Sequence, residues 1–524
     1  MSNFSGTILG NDVLSRVINL MIIGLLVRSP LAYYRLRIQP FFHPLAKFPG
    51  PVLWRASRLP YMRAAWGKHF PYVVQKLHAQ YGEVIRVAPN ELSFSGPAAW
   101  DDIYSNTEGA NNGAFPKSEI WHGNPDGGPA SVFTTINFKE HARIRRFMDP
   151  AFSERAVLKQ EPILQEYVGL CINKLRERAS TNDGKTTVNI VDWFNFTLFD
   201  IVGELSFGES FDCLKKCEYE GWMDQMAASM KLHYLSINLR HYPIITALTK
   251  LLGPFLVPKD IVAQHMDYSQ RSAEKLKRRL ASKDSIDRRP DIISQLMRSE
   301  DRDEGLTSQE VLLNSMLFIN AASETTATTL TGVVNMLLQN PASLAKLETE
   351  IRDFSNQSDL TLEALKRLPY LNAVLQEALR MCNPNPIGHL RTTPPNGGIV
   401  DGHFVAGNTL VTIQPQALCY SSKYFHEPEA WRPERWLKDA ETNPESPYYY
   451  GHRKGVRGFG WGPYICVGEP LGWAWMRLII ASMVWTFDLR KANAPNSLID
   501  WAAQDVFGIV IKHPLNVTFQ ERTT

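Results

Sequence analysis

The chain has 524 residues, 44% hydrophobic and 21% charged, and a net charge of only +3. That balance excludes wholesale disorder and permits a large buried core. It gives no general affinity for nucleic acid, so none is expected as a partner. Six cysteines without staple-like spacing point to a reducing compartment. Cys213 and Cys217 stand four apart with no histidine pair nearby, an incomplete zinc set.

Val13 to Tyr34 are largely apolar, with an unbroken stretch from Leu20 to Val27, and Arg28, Arg35 and Arg37 follow. No small-residue cleavage site comes after it, so residues 1–40 are expected to be an uncleaved membrane anchor with a basic flank. The positive-inside bias then leaves the rest of the chain on the cytosolic side. A short interfacial helix fits the same residues. Pro40, Pro44, Pro49, Gly50 and Pro51 read as a stiff linker. Residues 41–524 show no further linker or repeat and are expected to form one domain.

Within that domain, alternation over residues 83–95 predicts two short strands. Helical periodicity runs from about residue 138 to 385. Its longest element starts at the capping box Thr307/Glu310 and stops at Pro341. Short strands return over 388–414, a final helix spans 468–487, and a strand pair is expected in 505–520. The fold class is mainly α with minor β.

Two segments carry chemistry. The centre of the long helix reads Ala321-Ala322-Ser323-Glu324-Thr325-Thr326, a poor helix-forming stretch. Small side chains admit close approach, and an adjacent carboxylate and hydroxyl suit proton handling; a polar stripe between helices would look the same. The second segment runs from Phe459 through Gly460, Gly462, Pro463, Tyr464 and Cys466 to Gly468, ahead of an apolar helix. Glycines let backbone fold round a flat ligand, and a cysteine before a helix N-terminus sits where a thiolate is favoured. A lone cysteine is more often inert core.

This second segment resembles the signature F-x-x-G-x-R-x-C-x-G of the cytochrome P450 superfamily, with Tyr464 where the family usually has Arg. Glu377, Arg380 and Arg435 resemble the family's E-x-x-R pair and the arginine that completes its triad. Ala321–Thr326 resembles its oxygen-activation motif, with Ala322 for the usual glycine. His141 to Arg145 resembles its W-x-x-x-R helix. The resemblance covers residue 41 to the C-terminus, and HPLAKFPGP and AFSERA are most similar to fungal members that tailor secondary metabolites.

The resemblance implies a single large helical domain with small β-sheets. It implies haem b (iron-protoporphyrin IX) with Cys466 as axial thiolate and metal ligand, and Phe459 and Tyr464 in the cysteine loop. Arg145, His141 and Arg391 would hold the propionates, and Glu324 and Thr325 would be the catalytic proton-delivery pair. Tyr464 brings a hydroxyl but no charge to propionate anchoring. Ile120, Trp121, Phe318, Ile319, Ala322, Ile387, Gly388 and Phe507 would line the pocket, whose apolar character implies a lipophilic small-molecule substrate.

The glycines around Cys466 lack dinucleotide-binding spacing, so electrons must come from another protein. Arg453, Lys454, Arg457, Arg143 and Arg146 suggest a basic face for an acidic NADPH-dependent diflavin reductase, with O2 as co-substrate. The expected setting is the endoplasmic reticulum membrane, with the catalytic domain facing the cytosol. A same-fold enzyme of rearrangement or dehydration and a non-catalytic haem-binding relative are the alternatives.

Overall fold

The computed structural model describes residues 39–105, 113–123, 128–218, 231, 233–242, 246–247, 270, 273–275, 277–279, 291–297 and 305–522. The expected anchor over 1–40 lies outside them, save that residues 39 and 40 open the short helix Gln39–Phe42. Among the described residues no helix is long and apolar enough to cross a membrane.

The helices that position the site are α1 (Phe70–Tyr81), α2 (Phe138–Phe152), α3 (Glu154–Ser180), α4 (Ile190–Phe207), α5 (Ser308–Gln339), α6 (Pro341–Ile351), α7 (Pro369–Met381) and α8 (Glu469–Thr486). The strands are β1 (Val84–Ala88), β2 (Glu91–Phe94), β3 (Lys185–Asn189), β4 (Arg391–Thr392), β5 (Gly398–Val400), β6 (His403–Val405), β7 (Leu410–Ile413), β8 (Phe487–Lys491), β9 (Asp505–Phe507), β10 (Ile509–Ile511) and β11 (Asn516–Glu521).

Helix α5 runs through the middle of the fold. Thr307 accepts the Glu310 N–H while the Glu310 carboxylate accepts the Thr307 N–H, so two orphan donors are satisfied at its start. The helix packs against α4, which is buried on nearly every face, and against α7 and α8. The crossing with α7 is close because residue 332 is glycine: a Cβ there would lie 2.4 Å from the Cys382 Cβ. Helix α8 packs on α3 and α5, which explains its lack of a polar face.

The main sheet has the order β1-β2-β7-β4, with β2 and β7 parallel and the outer pairs antiparallel. The proline-rich segment, read from sequence as a stiff linker, is docked on this sheet. The Arg86 N–H donates to the Pro49 carbonyl at 2.7 Å, and a Cβ on Gly50 would sit 2.5 Å from the Arg86 carbonyl oxygen. Only glycine allows that approach.

One expectation changes: the helical stretch is broken by β3, whose alternating Lys185–Asn189 pairs with β11. The expected C-terminal strand pair is present as the hairpin β9–β10, and β11 follows it in a separate sheet of order β3-β11-β8. A five-residue strand gains its partner more than 320 residues away, so local pattern gives it little signal.

Candidate functional site

The cysteine loop closes on itself. The Cys466 N–H donates to the Phe459 carbonyl at 2.8 Å, and the Ile465 N–H to the Gly462 carbonyl at 3.0 Å. Gly460 and Gly462 take positive φ, +81° and +70°. A Cβ on Gly462 would lie 1.9 Å from the Tyr104 carbonyl oxygen, so the loop lies flush on the preceding structure only as glycine. The Phe459 ring meets Trp473 at 5.9 Å and covers Gly472 of α8.

Cys466 is an exposed residue although protein surrounds it, so it lines an internal cavity. Burial pushes its thiol above the ordinary value, while the Gly468 N–H and Arg145 pull it down. The backbone N–H at the helix start thus favours the thiolate, as the sequence reading expects, but burial outweighs it. A bound cation would reverse the balance, since a coordinating thiol is deprotonated outright.

The carboxylate–arginine cluster that the resemblance implies is formed. Glu377 and Arg380, one helical turn apart on α7, are buried and joined by two hydrogen bonds of 2.8 and 2.9 Å. Arg435 donates to the same carboxylate at 3.0 Å and Trp436 at 2.8 Å. Burial alone would raise the Glu377 carboxyl, but Arg380 and Arg435 outweigh it and hold it below the usual range. Arg380 also donates to the Cys419, Pro428 and Ala430 carbonyls, so its fork is fully used.

A second charged cluster has another character. Arg145 of α2 donates to the Ile465 carbonyl at 2.6 Å, one residue before the cysteine, and pairs with Asp149. Arg391 of β4 is buried, and its Nε finds no hydrogen-bond partner. Lys117 lies beside it, brought there by a backbone bridge between residues 117 and 391, and its ammonium donates to the Val132 and Phe133 carbonyls at 2.9 Å. Tyr464 lies between these cations, with Arg391 at 4.7 Å and Lys117 at 4.9 Å from its ring centre and the His141 ring at 4.5 Å.

The cations depress one another. Burial, with Arg391 and Arg145, lowers Lys117 to about 7. Burial, with Lys117, Arg145 and Arg391, lowers His141 to about 3, and His389 falls to about 3 through burial, Arg391 and Lys117. Among the described residues no carboxylate pairs with Lys117 or Arg391. A buried group of cations facing no acid, one with an orphaned N–H, fits a ligand carrying two carboxylates. The deep cysteine sulfur fits its metal, so this donor set accommodates a haem.

Lys117 was not singled out by sequence reasoning. It lies in an irregular stretch, and only its bridge to β4 places it at the site. The Tyr464 substitution is explained by the same contacts: an aromatic face between two cations attracts both, whereas a further arginine would repel them.

On α5, Thr325 donates its hydroxyl to the Ala321 carbonyl at 2.7 Å, and Glu324 forms an ion pair with Lys512. The structure brings Glu324 and Thr325 side by side on the helix without a bond between them. Ala321 is exposed in mid-helix, so the helix centre also borders open space.

Of the pocket candidates, Trp121, Ile387 and Gly388 line one small cavity with Tyr61, Glu91 and Gln414. Ile120 lines a neighbouring cleft of about 390 Å³. Phe507 is buried against Tyr234, 6.4 Å between ring centres. Phe318 and Ile319 are core: the first packs on Phe152 at 5.0 Å and the second is wholly buried. Ala322 packs against that core while remaining half-buried.

The basic face is thinner than the sequence implies. Arg143 bonds Glu140, Glu310 and the Gly305 carbonyl, and Arg453 bonds the Ala440 and Tyr448 carbonyls. Arg457 lies 3.5 Å from the Trp461 ring centre. Lys454 and Arg146 are the exposed members of the set.

A helical body crossed by one long helix, with a glycine-lined cysteine loop and a buried carboxylate–arginine triad, defines a haem-thiolate class of protein. The sequence matches the cytochrome P450 family over residues 47–513. It is 36% identical over 488 residues to the cytochrome P450 monooxygenase lcsI of Purpureocillium lilacinum, covering 93% of this chain and 91% of that one. It is 36% identical over 483 residues to the cytochrome P450 monooxygenase astA of Talaromyces wortmannii, covering 92% and 93%. It is 34% identical over 497 residues to the averantin hydroxylase of Dothistroma septosporum, covering 94% and 89%. The chain belongs to the cytochrome P450 family.

Proposed function

We propose that this chain is a haem-thiolate monooxygenase that inserts one atom of O2 into a lipophilic small molecule of fungal secondary metabolism. The observation that carries the reading is the pairing of a cavity-lining cysteine with buried Lys117 and Arg391, which meet no acid among the described residues. Relatives named as monooxygenases and as a hydroxylase support it.

Haem b, when bound, supplies oxygen activation, which a thiolate ligand favours by pushing electron density toward the oxygen bond. The residues do the rest. Cys466 gives the sulfur. Arg145, Arg391 and Lys117 would hold the two propionates, and neutral His141 packs on Tyr464. Glu324 and Thr325 hold and pass protons from the middle of α5. Their presence favours a monooxygenase over a same-fold enzyme of rearrangement or dehydration, which would run without NADPH.

Electrons come from an NADPH-dependent diflavin reductase, met at a face that includes Lys454 and Arg146. The apolar run before residue 35 and the exposed Phe41, Phe42, Val52 and Leu53 support anchoring at the endoplasmic reticulum membrane, with this domain in the cytosol. Alkaline carbonate extraction of a fungal microsomal fraction tests that placement: release into the supernatant would refute it.

The decisive experiment is a reduced carbon-monoxide difference spectrum. Wild type gives the red-shifted thiolate band and Cys466→Ala lacks it. A wild-type spectrum of histidine-ligated type overturns the assignment.

A further inference from the structure

Glu324 has a partner that its own helix does not supply. The Lys512 ammonium donates to the Glu324 carboxylate from the far end of the chain, with the lysine side chain 3% and the carboxylate 12% exposed. Among the described residues each is the other's ion-pair partner. Lys512 directly follows β10, and its backbone is fixed on both sides. The Val510 N–H donates to the Pro384 carbonyl at 3.0 Å, and the His513 N–H to the Gln504 side chain at 2.8 Å. The hairpin turns at Gly508, φ +81°, and carries Phe507 against Tyr234, which meets Trp121 at 5.8 Å.

Such a pair is a costly way to hold two elements together. Burying opposite charges gains little over apolar packing, but removing one partner strands the other. The pair also fixes the direction of the one carboxylate at the centre of α5, since a long lysine held at its base leaves the carboxylate few rotamers.

We propose that Lys512 is a positioning residue for Glu324, aiming its carboxylate so that protons reach oxygen from the centre of α5. This rests on the monooxygenase reading above. The test needs no substrate. In the reconstituted haem protein with diflavin reductase, NADPH, H⁺ and O2 give NADP⁺ and H2O2 when oxygen leaves after two electrons. Two NADPH, two H⁺ and O2 give two NADP⁺ and two H2O when the oxygen bond is cleaved. Timely proton delivery favours the second route.

Lys512→Met is expected to cut the water-forming share about tenfold, less than the roughly hundredfold or more that a positioned proton donor contributes, because Glu324 itself is kept. Lys512→Arg, which preserves the pair, stays within about twofold of wild type on that scale. Glu324→Gln matches Lys512→Met, and the double variant is no worse than either. A readout without turnover accompanies these: the infrared C–O stretch of the reduced carbon-monoxide complex moves in Lys512→Met and not in Lys512→Arg.

A wild-type product split in Lys512→Met, additive losses in the double variant, an unmoved C–O stretch in Lys512→Met, or equal damage in Lys512→Arg overturns the proposal. Should Lys512→Met fail to take up haem, Lys512→Gln, which keeps a donor and drops the charge, carries the same comparison. The carbon-monoxide spectrum separates the two readings. Its thiolate band missing from wild type removes the haem-thiolate site, whereas the band present with an unchanged product split removes only the role of Lys512.

Discussion

Two buried clusters of charge in this molecule are built to opposite rules. In one, Glu377, Arg380 and Arg435 are charge-paired, and Glu377 and Arg380 are tied by a dense set of bonds to backbone and side chains. Beside the loop, Lys117 and Arg391 face one another round Tyr464 and neutral His141, and among the described residues no acid balances them. The first cluster is complete within the protein and stiffens it. The second is stable only at a cost, visible in the lowered proton affinities of Lys117 and His141. Uncompensated buried charge thus marks a ligand site, and compensated charge marks a scaffold.

Perturbing the scaffold produces the largest effect. Glu377→Gln strands two buried guanidinium groups and should destabilise the protein by about 3–5 kcal/mol in denaturant unfolding. An unchanged midpoint would mean that the triad is not structural and would erase the contrast.

The ligand cluster responds differently. Lys117→Met removes one charge-assisted contact and should speed haem loss to apomyoglobin about tenfold, a hydrogen bond to a charged group being worth about 1.5–3 kcal/mol. Wild-type haem retention would remove Lys117 from the site. Tyr464→Arg in the same background should restore part of the retention, because it returns a cation where one was lost.

A smaller effect is expected in the pH dependence of the haem-free protein. Lys117 titrates at about 7 when folded, against the ordinary 10.5 when unfolded. The unfolded chain therefore binds more protons between these values, and stability rises with pH across that window. His141 and His389, lowered from 6.5 to about 3, make stability fall as pH drops from 6.5 toward 3. Guanidinium unfolding of wild type and Lys117→Met at several pH values checks the sign: the alkaline gain should shrink in the variant.

Smallest in stability, though not in chemistry, is Thr325→Ala. Its hydroxyl bonds only the Ala321 carbonyl of its own helix, so unfolding should shift by no more than about 0.5 kcal/mol. NADPH use should nevertheless uncouple from oxygenation; unchanged coupling would remove Thr325 from proton delivery.

Much of this was legible in the residues. The capping box set the start of α5, Glu377 and Arg380 pair as their spacing implied, and Arg435 joins them as the family resemblance implied. Those signals are local or carried by a few fixed spacings. What could not be read lies where distant segments meet. β3 depends on β11, Lys117 on its bridge to β4, and Lys512 on the hairpin that returns it to α5. Arg143 reads as surface charge until its bonds to Glu310 and Gly305 are seen.

The sequence by itself determined the helical class, the cysteine loop and the family, because glycine freedom, capping and motif spacing act over a few residues. Only the tertiary structure decided which charges are balanced. Balance depends on which side chains the long-range contacts bury together, and no local pattern records that.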